Sequence, residues 1–522
     1  MKKNEKRRLA AFGGIAVIAL VAAAGCSSNE ASSGGTTDSS SNSSGKSSSG
    51  DKTVTFQIMR QFGSPEYPAD GGEGRVEVLK ALEKMGVRGI DFRSTVLSGD
   101  EYNTKLNLLA ASGQLPDYFD IDPKTLQRFV DQGLIQPIDN YLKKSPHIMK
   151  VVPPEYWKQV TFNGKIYAIP NGTRTEPFNF PTVDGFNVRT DWLDALKLKQ
   201  PTNLNELHDV LKAFVTQDPD KNGKNDTIGL GAAKDSSFAG IFGAFGIQPT
   251  FWTERGGQLK KGLVLPEMKQ ALTLLQTWYK EGLIDHDFPI MDAKQKDEKV
   301  ANSLAGVWHG SGYYTDKSGS NTAEALYKAS PNAKVAVLEA PLGPDGKRGY
   351  AEANAYAASP LRALSHKAQD PEKLFQLLDW MASDEPGGGA NYITYGVEGK
   401  DYTFDKATNS IIQSTTYSDL YKRGFSNPIR FILITDRRWT QVPVREGINV
   451  VNKYLIKNAM WNTLPAESDY PDLEKKLYAE YFVKIVTGTW AVDKYDEFIQ
   501  KYYEQGGREI EKQANDLYKK LK

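Results

Sequence analysis

Apolar positions between Thr53 and Gly133 switch between two periods. Thr53–Met59 alternates as a strand does, whereas residues 74–85 carry Val76, Leu79 and Leu82 at helical spacing and stop at Gly86. Val87–Phe92 reads as a second strand and Tyr102–Ala111 as a helix closed by Gly113. Leu115–Ile121 reads as a third strand and Lys124–Gln132 as a helix ended by Gly133. Such alternation predicts a largely parallel sheet covered by helices. Gly164–Pro170 and Gly185–Arg189 are further strands, on either side of an irregular Pro- and Gly-rich stretch at 170–185. A second α/β region follows. Leu204, Leu207, Val210, Leu211 and Phe214 form one helix face, and Met268–Lys280 places Leu272, Leu275 and Tyr279 on one stripe. Val335–Leu338, Tyr350–Ala358 and Ile429–Ile434 are predicted strands, and Pro371–Ala382 is a helix with proline in its first turn. The end of the chain reads as helices, including Leu473–Val486 and Arg508–Lys520.

The first fifty residues have a different character. Lys2, Lys3, Lys6, Arg7 and Arg8 precede a short apolar run, Leu9–Ala24, which ends in small residues before Cys26, the only cysteine. This is the layout of a secretory signal peptide over 1–25 rather than of a spanning helix with polar flanks. A lone cysteine forms no intramolecular disulfide, so an exported chain that keeps one has another use for it. Residues 27–52 are almost devoid of apolar side chains and rich in Ser and Gly, the composition of a flexible tether. About 26 such residues span roughly 25–30 Å on average.

At 522 residues the chain is too long for one ordinary core, so two lobes are expected. Lys+Arg 65 against Asp+Glu 64 gives no basic face for nucleic acid. No HExxH, GxSxG, Walker loop or post-strand GxGxxG occurs, although sequence alone does not exclude paired carboxylates of a glycoside hydrolase or lyase. The sharpest motif is Asp218-Pro-Asp220-Lys-Asn222-Gly223-Lys224-Asn-Asp226. Its oxygen donors at the first, third, fifth and ninth positions, the glycine at the sixth and the Lys224 carbonyl at the seventh match the start of an EF-hand loop. Gly229 stands where an EF-hand has its bidentate Glu. The expected ion is a structural calcium that pins the loop, since saturated oxygen ligation leaves no open catalytic position. Aromatic residues make up 11% of the chain, and rings suit the apolar faces of sugars. Trp308 and Trp439 lie in segments read as loops after strands and Trp252 in another loop, and these three are the stacking candidates, with Tyr313 near the first. Arg60 and Gln61 end the first strand, Asp120 and Asp122 end or follow the third, and Arg174 and Glu176 lie in the Pro/Gly stretch. Of these, Arg60, Gln61, Asp120 and Arg174 are the candidate polar contacts.

The order of motifs carries a resemblance. Ala23-Ala24-Gly25-Cys26 resembles a bacterial lipobox, with Ala23 where Leu is usual. It is followed by the Ser-rich tether, SGQLPDYFDID (112–122), GLIQPIDNYL (133–142), NGKIYAIP (163–170), NVRTDWLDALKL (187–198), PTNLNELHDVLKAF (201–214), DPEKLFQLLDWMAS (370–383) and YGVEGKDY (395–402). With these blocks the chain resembles the extracellular solute-binding proteins of sugar ABC importers, in particular the large Gram-positive lipoproteins, and is similar to alginate-oligosaccharide-binding proteins. The resemblance implies an α/β, two-lobed, periplasmic-binding-protein-like (type II) fold with a ligand cleft and interlobe crossovers. The expected crossovers lie near 165–185, 340–355 and 425–435. The expected lobes are 53–170 plus 345–428 and 171–344 plus 429–522. Relatives bind calcium in a loop of the 218–226 pattern with a further acidic residue after the ninth position, where this chain has Thr227. The resemblance also implies lipidation of Cys26, an extracellular membrane-anchored location, a carbohydrate ligand, permease subunits as partners and a monomer. A peptide or other non-sugar solute remains an alternative ligand.

Overall fold

A computed structural model describes residues 52–521 except 63–66, 174–181, 235–236, 318, 354–359, 386, 409, 427–428 and 436–440. The signal segment, Cys26, nearly all of the tether, Arg174, Glu176 and Trp439 therefore lie outside the described residues. Asp51–Lys522 forms one compact unit.

In chain order, the elements that matter begin with β1 (Val54–Gln61), α1 (Gly72–Lys84), β2 (Ile90–Leu97), α2 (Gly99–Ala111), β3 (Tyr118–Ile121) and α3 (Pro123–Asp131). Next come β4 (Ala168–Ile169), β5 (Gly172–Thr173), β6 (Asp184–Arg189), α4 (Leu204–Thr216) and β7 (Ile228–Gly231). They are followed by α5 (Ala239–Ala244), α6 (Pro266–Lys280), α7 (Ala293–Ala301), β8 (Ala305–Ser311), β9 (Val335–Val337) and β10 (Tyr350–Ala351). The chain closes with β11 (Leu361–Leu364), α8 (Pro371–Ala382), β12 (Ile434–Thr435), β13 (Leu455–Ile456), α9 (Ala479–Val486) and α10 (Arg508–Leu521).

The first sheet has the order β2-β1-β3-β11-β4. β1 runs parallel to β2, from Val54 opposite Ile90 to Gln61 opposite Leu97, and parallel to β3. β11 is antiparallel to both β3 and β4. All four residues of β3 are buried, as expected of a strand covered on both faces. The Asp122 side chain accepts hydrogen bonds from the Lys124 and Thr125 amides and starts α3, with Pro123 in the first turn. The second sheet has the order β9-β6-β8-β7, with β8 antiparallel to β6 and parallel to β7. Each sheet has its own core. The first includes Phe56, Phe92, Tyr118, Leu361, Leu378 and Phe431; the second includes Phe186, Leu211, Val307, Leu275, Tyr350 and Ile485.

The chain passes between the cores three times. It leaves the first core after Ile169 and enters the second with Phe186, returns between Ala351 and Leu361, and leaves again after Ile432. The first and last passages run side by side, because β5 and β12 pair in parallel. The core residues correct the expected lobe limits at both ends of 345–428. Tyr350 is fully buried in the second core, and Ile429, Phe431 and Ile432 belong to the first. The expected strand Ile429–Ile434 is also absent: only Ile434–Thr435 is a strand. Its apolar run reflects burial of an irregular segment, since burial alone selects apolar residues whatever the backbone does. Of Tyr350–Ala358, only Tyr350–Ala351 is described as strand.

Candidate binding site

β8 decides where the site lies. Val307 and Trp308 are buried, while His309, Gly310 and Ser311 emerge at the end of the second sheet. Ser311 stands opposite Asp184, the first residue of β6, so this end of the sheet receives the first crossover. Gly312 N–H donates to the Val183 carbonyl at 2.8 Å, and Val183 and Tyr313 both pack on the buried pair Val444 and Ile448.

Two cavities adjoin here, and His309 lines both. One, of about 470 Å³, is polar: Asp184, Lys296, His309, Ser311, Tyr313 and Thr322 face it. The other, of about 540 Å³, is walled by Phe238, Phe242, Phe251, Tyr478 and Phe482. Lys234, Glu474 and Lys475 also line it, as does Ala351 at the second crossover. Both volumes lie in the range of small-ligand sites. The His309 imidazole lies edge-on to Phe186, centroids 5.9 Å apart, with Tyr350 at 6.3 Å. Burial, and then the positive charge of Lys296, push its pKa down to about 3, so the ring is neutral. Lys296 donates to the His309 carbonyl at 2.7 Å and pairs with Asp297 at 3.1 Å. A neutral imidazole offers one donor and one acceptor. Its Nδ1 is buried without a hydrogen-bond partner among the described residues.

Of the expected stacking tryptophans, Trp308 and Trp252 do not line these cavities, and Trp439 lies outside the described residues. Trp308 lies within β8, not in a loop after it, and is fully buried with Tyr314 edge-on at 5.5 Å. Trp252 is buried in the second core, with the Lys261 ammonium 4.7 Å from its ring centroid. In both cases the sequence neighbour faces the cavity instead: His309 after Trp308 and Phe251 before Trp252. Successive residues of an extended chain point to opposite sides, so a one-residue shift separates core from cavity. Tyr313 lines the polar cavity. Nothing in the sequence singles out Phe238, Phe242, Tyr478 and Phe482, because phenylalanines and tyrosines at helical spacing look like core residues.

Arg60 and Asp120, expected as ligand contacts, lie in a buried network. Asp120 is 0% exposed and lies 2.9 Å from Arg60 Nε. It also accepts from the Gln61 amide at 2.8 Å and lies 3.5 Å from Arg362 Nε. Arg60 reaches the Arg430 carbonyl, and Arg362 reaches Asn171. The network thus joins strand ends of the first sheet to residues of the first and last crossovers. Burial pushes the Arg362 pKa down to about 10. Gln61 is half-buried at the end of β1.

The acidic loop follows α4. Asp218, Lys221 and Gly223 have positive φ, and the Asn222 carboxamide donates to Asp220 at 2.8 Å and to Asp226 at 3.1 Å. Asp218 accepts from the Gly223 amide at 3.0 Å, and the Lys224 amide donates to Asn222 Oδ1 at 2.8 Å. Burial, a hydrogen bond with Asp218 and the nearby charges raise the pKa of Asp220. Among the described residues, no three His, Cys, Asp or Glu side chains are gathered as a metal centre. The donor set still suits calcium by type: the residues are oxygen ligands, and the weakly positive Asn222 amide group lies where two carboxylates converge.

Two α/β cores, three crossovers and ligand-sized cavities beside those crossovers define a two-lobed solute-binding protein. The model of the bacterial extracellular solute-binding protein family matches residues 66–387, and the chain belongs to that family. The chain is 26% identical over 470 residues to the polygalacturonan/rhamnogalacturonan-binding protein YtcQ of Bacillus subtilis, covering 85% of this chain and 88% of the relative. It is 28% identical to lipoprotein LipO of the same organism, covering 91% and 94%. Among solved structures, the Streptococcus pneumoniae ABC-transporter substrate-binding protein FusA with kestose has a TM-score of 0.67 at 21% identity, covering 90% and 99%. The alginate-binding protein AlgQ2 without calcium ion has a TM-score of 0.66 at 21% identity, covering 90% and 98%. At these identities the solved structures bear on the fold alone. Family membership makes this chain a binding protein rather than a hydrolase or lyase.

Proposed function

We propose that this protein captures an oligosaccharide outside the cell and hands it to the permease of an ABC importer. The observation that carries this reading is the pair of cavities that meet at His309 beside the crossovers. Aromatic walls and hydrogen-bonding groups are what polyhydroxylated rings require. The name of YtcQ supports a carbohydrate over a peptide. Closure of the two lobes about the crossovers requires a ligand that contacts both lobes, since only differential contacts shift the population. Tyr313 is a proposed ligand contact at this site, and Trp439 and Arg174 are proposed contacts that lie outside the described residues. The purified domain, acting as a monomer, is expected to show raised melting temperatures with neutral or acidic oligosaccharides in a thermal-shift screen. Tight binding of a peptide with no response to any glycan rejects the sugar reading.

Cys26 is the proposed lipidation site, which holds the protein on the extracellular face of the membrane. LipO, a lipoprotein matched over most of its length, supports this anchor. Cys26→Ser is expected to release the protein into the medium; unchanged membrane retention rejects the anchor.

The proposed calcium site is the loop with Asp218, Asp220, Asn222, the Lys224 carbonyl and Asp226. Bound calcium supplies charge neutralisation that holds these carboxylates together. Its role is structural, so a chelator is expected to lower the melting temperature by mass action and Asp218→Ala to abolish that response. A melting curve indifferent to calcium and chelator removes the site.

A further inference from the structure

The two cavities that meet at His309 differ in chemistry. The polar one is faced by Asp184, Ser311, Tyr313 and Thr322. The other is walled mainly by Phe238, Phe242, Phe251 and Phe482, and Lys234, Thr250, Glu474 and Lys475 also line it. Its rings pack against one another and against the core, so this face of the cavity is fixed and apolar. Phe482 lies 5.7 Å from Phe238 and 6.1 Å from Phe242, and Phe251 is edge-on to Trp461 at 5.2 Å. The buried Gln248 amide at this wall is already engaged, donating to the Ala239 carbonyl at 2.8 Å. Hydroxyls placed against those phenylalanines go unpaired, which costs free energy. A methyl or acyl group there is instead removed from water at a gain.

We propose that the ligand is chemically two-sided: a sugar ring bearing an apolar substituent, a deoxy methyl or an acyl group, enters the phenylalanine cavity, while an unmodified polyol occupies the polar cavity across His309. This rests on the reading of the two cavities as the carbohydrate site. His309 is the specificity-determining wall, because its neutral ring is apolar on its faces and hydrogen-bonding at its edge, and it borders both compartments. The arrangement fixes the direction in which the ligand lies as well as its composition.

The test is calorimetric titration of the mature protein with matched disaccharide pairs: 6-deoxymannosyl against mannosyl, N-acetylglucosaminyl against glucosyl, and O-acetylated against deacetylated. At least one pair is expected to favour the substituted member by about fourfold or more for each methyl removed from water. Phe251→Tyr, which adds a hydroxyl to the cavity while keeping the ring, is expected to shrink that ratio. Thr322→Val, in the polar cavity, is expected to weaken both members equally and leave the ratio unchanged. Binding of glycans with ratios near one overturns the two-sided ligand while leaving the carbohydrate function standing. A ratio indifferent to Phe251→Tyr overturns the assignment of the cavity. Binding of no glycan at all overturns both.

Discussion

Asp120→Ala is expected to destabilise the folded protein by about 3–5 kcal/mol, the cost of breaking a buried ion pair from one side. The carboxylate lies between two guanidiniums, Arg60 at 2.9 Å and Arg362 at 3.5 Å, and also accepts from the Gln61 amide at 2.8 Å. Arg60 and Arg362 are 4% and 1% exposed, so water does not replace the lost charge. Removing Asp120 leaves two like charges close together in the interior. The same guanidiniums hold the crossovers through the Arg430 carbonyl and Asn171, so interlobe geometry is disturbed along with stability. Urea unfolding of the mature domain measures the effect. Replacing Arg60 by Met in the same chain is expected to recover part of the loss, because it removes one of the stranded charges. A single-variant change below about 0.5 kcal/mol, the level of an ordinary surface substitution, contradicts this account.

Gly243→Ala tests a second contact by its sign. A glycine-to-alanine change in an open helix stabilises by roughly 0.5–1 kcal/mol. In α5 the added Cβ meets the Gly349 carbonyl oxygen at 1.5 Å, a backbone atom with no side chain to swing aside. The helix has little room to retreat, since at Gly240 an added Cβ meets the Phe186 ring at 2.5 Å and Tyr350 at 2.9 Å. The expected result is destabilisation at or beyond the upper end of the about 1–3 kcal/mol range for overpacking. Ligand binding falls with it, because Gly349 leads into Tyr350, which lies against His309, and Ala351, which faces the phenylalanine cavity. Denaturation midpoint and soluble yield measure it; unchanged or raised stability contradicts the contact.

Elements with strong local signals are legible in the sequence. β1, α2, α3, α4, α6 and α8 lie close to where periodicity, caps and terminal glycines place them. Which face of an element turns inward is less legible. In α1 the helical spacing points to Val76, Leu79 and Leu82, yet Val76 is 43% exposed and the buried stripe is Gly74, Val78 and Leu82. Gly74 is inward because the chain at Gly424 passes so close that an added Cβ meets its carbonyl at 2.1 Å. The approach comes from a distant part of the chain, and no local pattern announces it.

Local chemistry along the chain settled the alternation of strands and helices, the acidic loop and the near-neutral charge, because each depends on neighbours within a few residues. Tertiary structure decided the site. Trp308 and His309 are adjacent, and so are Phe251 and Trp252, yet one of each pair lies in the core and the other faces a cavity. Arg60 and Asp120, 60 residues apart, are partners because parallel strands place their ends side by side. Pairing of that kind depends on which strands become neighbours, and that is set by the packing of two cores and the return of the chain between them rather than by any short stretch of residues.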